Sequence, residues 1–164
     1  MSPEYLAGIF DGEGCIDVQR MYPKTGKGRL YVRPRVRMCM ANSALLVLQS
    51  LSSRFGGHLS LRKSTKTTQQ DSWSLEWLSQ AAIKDILQTA LPHLILKAEQ
   101  AKLVLWWLDN ASGRQVRNTR FGTTECFAGI EQARAAFVEE LRAMKQDPQR
   151  LSEGAEERIA LLMR

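Results

Sequence analysis

Glu13 is the residue whose surroundings say most about chemistry. It stands between Gly12 and Gly14 at the close of the run L-A-G-I-F-D-G-E-G, residues 6–14. A carboxylate there projects from a helix end, and the flanking glycines permit turn geometry that other residues resist. The second set of groups is cationic. From Arg29 to Met38 the chain reads R-L-Y-V-R-P-R-V-R-M, so Arg29, Tyr31, Arg33, Arg35 and Arg37 alternate with Leu30, Val32, Pro34, Val36 and Met38. Side chains alternate across a strand, which puts four arginines and a tyrosine on one face and the apolar set on the other. Such a row of guanidinium groups repels itself unless anions neutralise it, so this face is expected to meet a polyanion. Net charge agrees, with 23 Lys and Arg against 17 Asp and Glu, or +6 per chain.

The elements that must hold these groups follow from local signals. Ser2 and Pro3 open a capped helix expected to run to about Asp11, with Ala7 and Gly8 as a small-residue patch where another helix backbone can approach. A strand follows over 15–21, then a basic hairpin tip over 22–28 holding Lys24 and Lys27, then the arginine strand. Asn42 and Ser43 offer an N-cap for a helix over 44–55, stopped by Gly56 and Gly57. Alternation predicts strands over 58–63 and 72–78, separated by a polar loop. Helices over 80–90 and from His93 or Ile95 to Asn110 come next, divided at Leu91-Pro92. The order α-β-β-α-β-β-α-α defines an α+β class: a four-stranded sheet with helices on one face and a polar, arginine-rich face left open. A two-stranded ribbon of this kind fits the major groove of duplex DNA, where Arg and Gln pair with base edges.

The whole chain, 1–164, reads as one domain with its core over about 3–110. Beyond it, Arg114, Arg117 and Arg120 lie in a basic loop able to touch phosphate, and helices over 131–145 and 152–163 brace the core. Residues 126–130 (C-F-A-G-I) faintly echo the opening run but lack its acidic glycine turn. No apolar stretch reaches membrane-spanning length and no leader pattern opens the chain. Cys15, Cys39 and Cys126 are few and odd in number, and only His58 and His93 could join them as soft ligands. That excludes a disulfide framework or zinc site as the organising feature and leads to the expectation of a reducing intracellular compartment, bacterial, phage-infected or organellar.

The opening nonapeptide resembles the signature of the LAGLIDADG homing endonucleases, L-A-G-L-I-D-A-D-G, and departs from it at Ile9, Phe10, Gly12 and Glu13. The resemblance implies a curved antiparallel sheet laid along DNA, read by Asp17, Gln19, Tyr31, Arg33, Arg35, Arg37, Ser60, Arg62, Ser74 and Glu76; strand alternation adds Arg29 to the DNA-contacting set, and the basic loop, where the resemblance has faded, adds Arg114 and Arg117. It implies Glu13 as metal ligand and catalytic carboxylate, with the Gly12 carbonyl as a second oxygen, holding Mg²⁺ for which Mn²⁺ can substitute. Lys97, within L-K-A-E-Q-A, matches a lysine that works near the phosphodiester. The family often places a polar, water-holding residue at the end of the second strand, where this chain has Met40. One motif in one chain implies a homodimer meeting at Ala7, Gly8 and Asp11, cutting both strands of a long pseudo-palindromic site. Other members of the resemblance class imply a different use of the same fold: an intron RNA maturase, or a DNA-binding protein that does not cut.

Overall fold

The computed structural model describes residues 1–21, 31–64, 70–110 and 124–163, without the side chains of Met21, Tyr31 and 124–128. Lys24, Lys27, Arg29, Arg114, Arg117 and Arg120 lie outside the described residues. The elements are α1 (Pro3–Glu13), β1 (Gly14–Met21), β2 (Tyr31–Ala41), α2 (Leu45–Phe55), β3 (His58–Arg62), β4 (Ser72–Trp77), α3 (Gln80–Ala90), α4 (Ala98–Asn110), α5 (Thr124–Gln146) and α6 (Ser152–Leu162). Short 3₁₀ turns precede α2 and follow α3. The expected α+β order holds.

The chain forms two compact units, one of residues 1–17 with 34–97, the other of 18–33 with 98–164. In the first, α1 starts as its cap signals require: the Ser2 hydroxyl accepts the Tyr5 N–H at 3.3 Å and Pro3 sits in the first turn. Leu6, Ala7 and Phe10 are buried, and α1 packs against α3. The helix continues two residues past the expected end, through Gly12 and Glu13. Neither Gly12 nor Gly14 adopts positive φ, so left-handed geometry is not what requires glycine here. At Gly14 the requirement is space, because a Cβ would sit 2.5 Å from the Phe10 carbonyl oxygen.

The strands run β1-β2-β4-β3 across the sheet, with β4 antiparallel to both β2 and β3. Along β2 the expected alternation is met: Val32, Pro34, Val36 and Met38 are buried, while Arg33, Arg35 and Arg37 are half-exposed. Leu48, Leu51 and Phe55 of α2 are buried, and the helix lies on β3 and β4. Asn42 is not its cap. The N-cap is Ala44, without a side-chain bond, and the Asn42 amide oxygen instead accepts the Trp73 indole N–H at 2.7 Å. Gly56 (φ 67°) and Gly57 (φ 101°) end α2, the one place among the described residues where the backbone enters the glycine-favoured region. In α3, Ser79 caps the Ala82 N–H, and Ile83, Ile86, Leu87 and Ala90 form the buried stripe.

In the second unit, α4 begins at Ala98, later than its apolar pattern suggests, and α5 begins at Thr124, earlier than expected. Trp107 of α4 stacks on Phe137 of α5 with ring centroids 4.3 Å apart. The N-terminus of α6 is served from outside: its N-cap, Leu151, provides no side-chain bond, and Glu99 of α4 accepts the Ser152 N–H at 2.8 Å. Glu140 of α5 binds Arg150 and Arg158 at 2.8 and 2.7 Å. No helix among the described residues is long and apolar enough to cross a membrane.

Candidate functional site

The end of α1 is organised by Asp11. Its carboxylate accepts the backbone N–H of Ile95 at 2.7 Å and of Lys97 at 3.0 Å, while the Lys97 ammonium donates to the Asp11 carbonyl oxygen. The last carbonyls of a helix lack intrahelical donors and carry the negative end of its dipole, so a cation belongs there. Lys97 is thereby fixed two residues before Glu13, whose side chain is exposed. The structure thus brings the Lys97 ammonium to the helix end that carries Gly12 and Glu13.

Of the residues expected at the seam, Ala7, Gly8 and Asp11, only Gly8 is exposed. Ala7 is fully buried within its own chain, and Asp11 uses both carboxylate oxygens on the loop before α4. The face of α1 that remains open carries Tyr5, Gly8 and Gly12. Among the described residues, nothing lies within 4 Å of a Cβ added at Gly8 or Gly12, so no described side chain covers that surface.

Whether these residues suit a metal depends on the donor set. No cluster of three or more His, Cys, Asp or Glu exists among the described residues, so those residues build no all-side-chain cage. An exposed carboxylate beside a helix-end carbonyl fits a hard cation such as Mg²⁺, which keeps several waters and is held by one or two carboxylates plus substrate phosphates.

The polar sheet face is set by register. Arg37 lies opposite Glu76, and Glu76 opposite His58; Cys39 lies opposite Ser74, and Ser74 opposite Ser60; Ala41, Ser72 and Arg62 make the next row. Asp17 of β1 holds Arg35 of β2 through two bonds, 2.7 and 2.8 Å. That hydrogen-bonded pairing raises the Arg35 pKa further above its already high ordinary value, outweighing partial burial. Arg62 reaches Glu76 at 3.4 Å. Gln19 and Arg33 are half-exposed on their strands, as expected.

Ser74, expected to touch DNA, is fully buried, and its hydroxyl accepts the Cys39 thiol at 3.4 Å. It supports the face from within. His58 and Cys39 share that face, as the alternation that selects Ser60, Arg62 and Arg37 requires. Met40 pairs with Trp73 on the opposite, apolar face, so no polar side chain stands at that point of β2.

Fold and site together define an α+β protein with a cationic sheet face and an acidic helix end beside a fixed lysine. The chain belongs to the LAGLIDADG endonuclease family, whose model matches residues 6–90. Among solved structures it is similar to the homing endonuclease I-CvuI in complex with its target in the presence of Ca, at 21% identity and TM-score 0.65 over 98% of this chain and 93% of that one. The homing endonuclease I-TnaI is similar at 22% identity and TM-score 0.59, over 100% of this chain and 99% of that one. The archaeal intron-encoded I-Vdi141I complexed with DNA follows at 13% identity and TM-score 0.63, over 98% and 95%. No curated protein matches by sequence.

Proposed function

We propose that the chain is a site-specific DNA endonuclease of the homing type, acting as a homodimer and requiring a divalent metal, Mg²⁺ with Mn²⁺ as a substitute. The observation that carries this reading is the exposed Glu13 carboxylate at the end of α1, on the same helix end as the Lys97 ammonium and directly before β1. Glu13 and the Gly12 carbonyl are the groups that would hold the metal, which when bound lowers the pKa of water and stabilises charge on a phosphoryl oxygen. Lys97, anchored on the Asp11 carbonyl, supplies a preorganised positive charge for the phosphodiester. Arg33, Arg35, Arg37 and Arg62 track phosphates and base edges. The DNA-bound state of I-CvuI and I-Vdi141I supports the substrate class, and the Ca and Mg present with I-CvuI support a divalent ion.

Cutting both strands requires two acidic helix ends, and this chain carries one. The open Gly8 and Gly12 face of α1 supplies a self-complementary surface for a second copy, and a two-fold protein reads a long, roughly palindromic duplex. Three scattered cysteines with no disulfide framework suit work in a reducing intracellular compartment. The test is a Glu13→Ala chain on a duplex selected by the wild type. Binding is expected to persist while cleavage in Mg²⁺ falls about a hundredfold or more. Normal cutting by that variant refutes the assignment.

A further inference from the structure

The pairing of Asp17 with Arg35 extends the reading of the sheet as a DNA-contacting face, on which it rests. Arg35 donates Nε to Asp17 Oδ1 at 2.7 Å and Nη2 to Asp17 Oδ2 at 2.8 Å. The two side chains are only 23% and 19% exposed, and the Cys15 thiol reaches the same Asp17 Oδ2 at 3.9 Å. A guanidinium is planar, with five N–H donors in a fixed fork. With Nε and one Nη2 hydrogen engaged along its side edge, the donors left over include the end-on pair, one hydrogen from each terminal nitrogen, directed away from Asp17. That edge matches the two acceptors, O6 and N7, which guanine shows in the major groove. A long side chain without such a brace samples many rotamers and meets phosphate and base alike; a braced one presents a single edge. Arg62 makes the contrast, because it is 49% exposed and touches Glu76 through one 3.4 Å contact, which leaves it free to follow the backbone. The raised Arg35 pKa follows from the same carboxylate and keeps the fork fully charged.

We propose that Asp17 is a positioning residue that locks Arg35 in the geometry for reading a guanine in each half-site, making the pair a fixed element of sequence discrimination on an otherwise phosphate-tracking face.

The test is a binding selection from a randomised duplex library, run in Ca²⁺ on the full-length wild type and on Asp17→Ala, Asp17→Asn and Arg35→Lys chains, each checked for folding by thermal melting. The wild type is expected to enrich sites with a guanine at one symmetry-related position per half-site. Arg35→Lys keeps the charge but loses the fork, and Asp17→Ala keeps the fork but frees it. Both should weaken preference at that position alone, by about tenfold to a hundredfold, with Asp17→Asn intermediate because it retains one acceptor oxygen. If Asp17→Ala merely tightens or weakens binding to every sequence alike, Asp17 acts only through charge or folding and the proposal falls. A wild-type consensus with no guanine sensitive to Arg35→Lys overturns the pairing while the endonuclease reading stands. A wild type that enriches no sequence overturns both.

Discussion

Glu99 holds its charge against opposing influences. Burial pushes its carboxyl up, but the Lys102 ammonium at 2.5 Å and the Ser152 N–H pull it down further, so it lies below the ordinary carboxylate value. Glu156 goes the other way, raised chiefly by burial, with the Ser152 side chain opposing and the charges of Glu153 and Glu99 adding to the rise. A depressed carboxyl contributes stability that is complete above its unfolded pKa and lost as pH falls through the lower folded value. A raised one costs stability as pH climbs from the unfolded value through the higher folded one. Glu99→Gln should therefore lose about 1 kcal/mol at neutral pH, the scale of a helix cap, and melt a few degrees lower. The deficit should shrink in acid below the usual carboxylate range. Glu156→Gln should melt slightly higher at neutral pH, and thermal melts across pH check both signs. At this scale the helix end that carries Glu13 was legible because its cap signals and glycines are local. The bond from Asp17 to Arg35 was not, because a one-residue slip in pairing exchanges the faces and nothing local fixes which carboxylate meets which arginine.

Element boundaries fail in the sequence wherever a distant partner intervenes. Nothing near Ile95 says that its amide is taken by Asp11, so the helical pattern reads straight through a segment that is not helix. Asn42 has the chemistry of a cap, but Trp73 claims it. The C-terminal end of α2 was readable, since Gly56 and Gly57 act on their immediate neighbours. The two small residues of the expected seam differ in phase: Ala7 is buried in its own core, whereas Gly8 is exposed. That phase gives a prediction of opposite signs. Gly8→Leu should stabilise the isolated chain by about 0.5–1 kcal/mol, because a mid-helix glycine is unfavourable and no neighbour lies within 4 Å. The same change should abolish association, read as a shift from dimer to monomer mass in solution. A Gly8→Leu chain that remains dimeric excludes α1 as the seam.

For the molecule as a whole, sequence patterning conveyed the order of elements and the polarity of the sheet faces. It did not convey the partition into two units, in which α4 groups with α5 and α6 rather than with the preceding core. That grouping depends on contacts such as Trp107 on Phe137, which join residues remote in the chain. The +6 charge per chain doubles in a dimer, which adds to attraction for DNA and to its sensitivity to salt.

The bare surface over Gly8 and Gly12 also bears on dosage. If the proposed homodimer is the cutting species, a chain present well below its dimer dissociation constant cuts little, because mass action keeps it unpaired. Well below the dimer dissociation constant, the initial cleavage rate should rise with about the second power of protein concentration. A titration at limiting protein measures that exponent, and an exponent of one would mean that each copy cuts alone. Under such a law, halving the protein concentration lowers the initial cleavage rate about fourfold, a consequence that would trace to the two positions on α1 that carry no side chain.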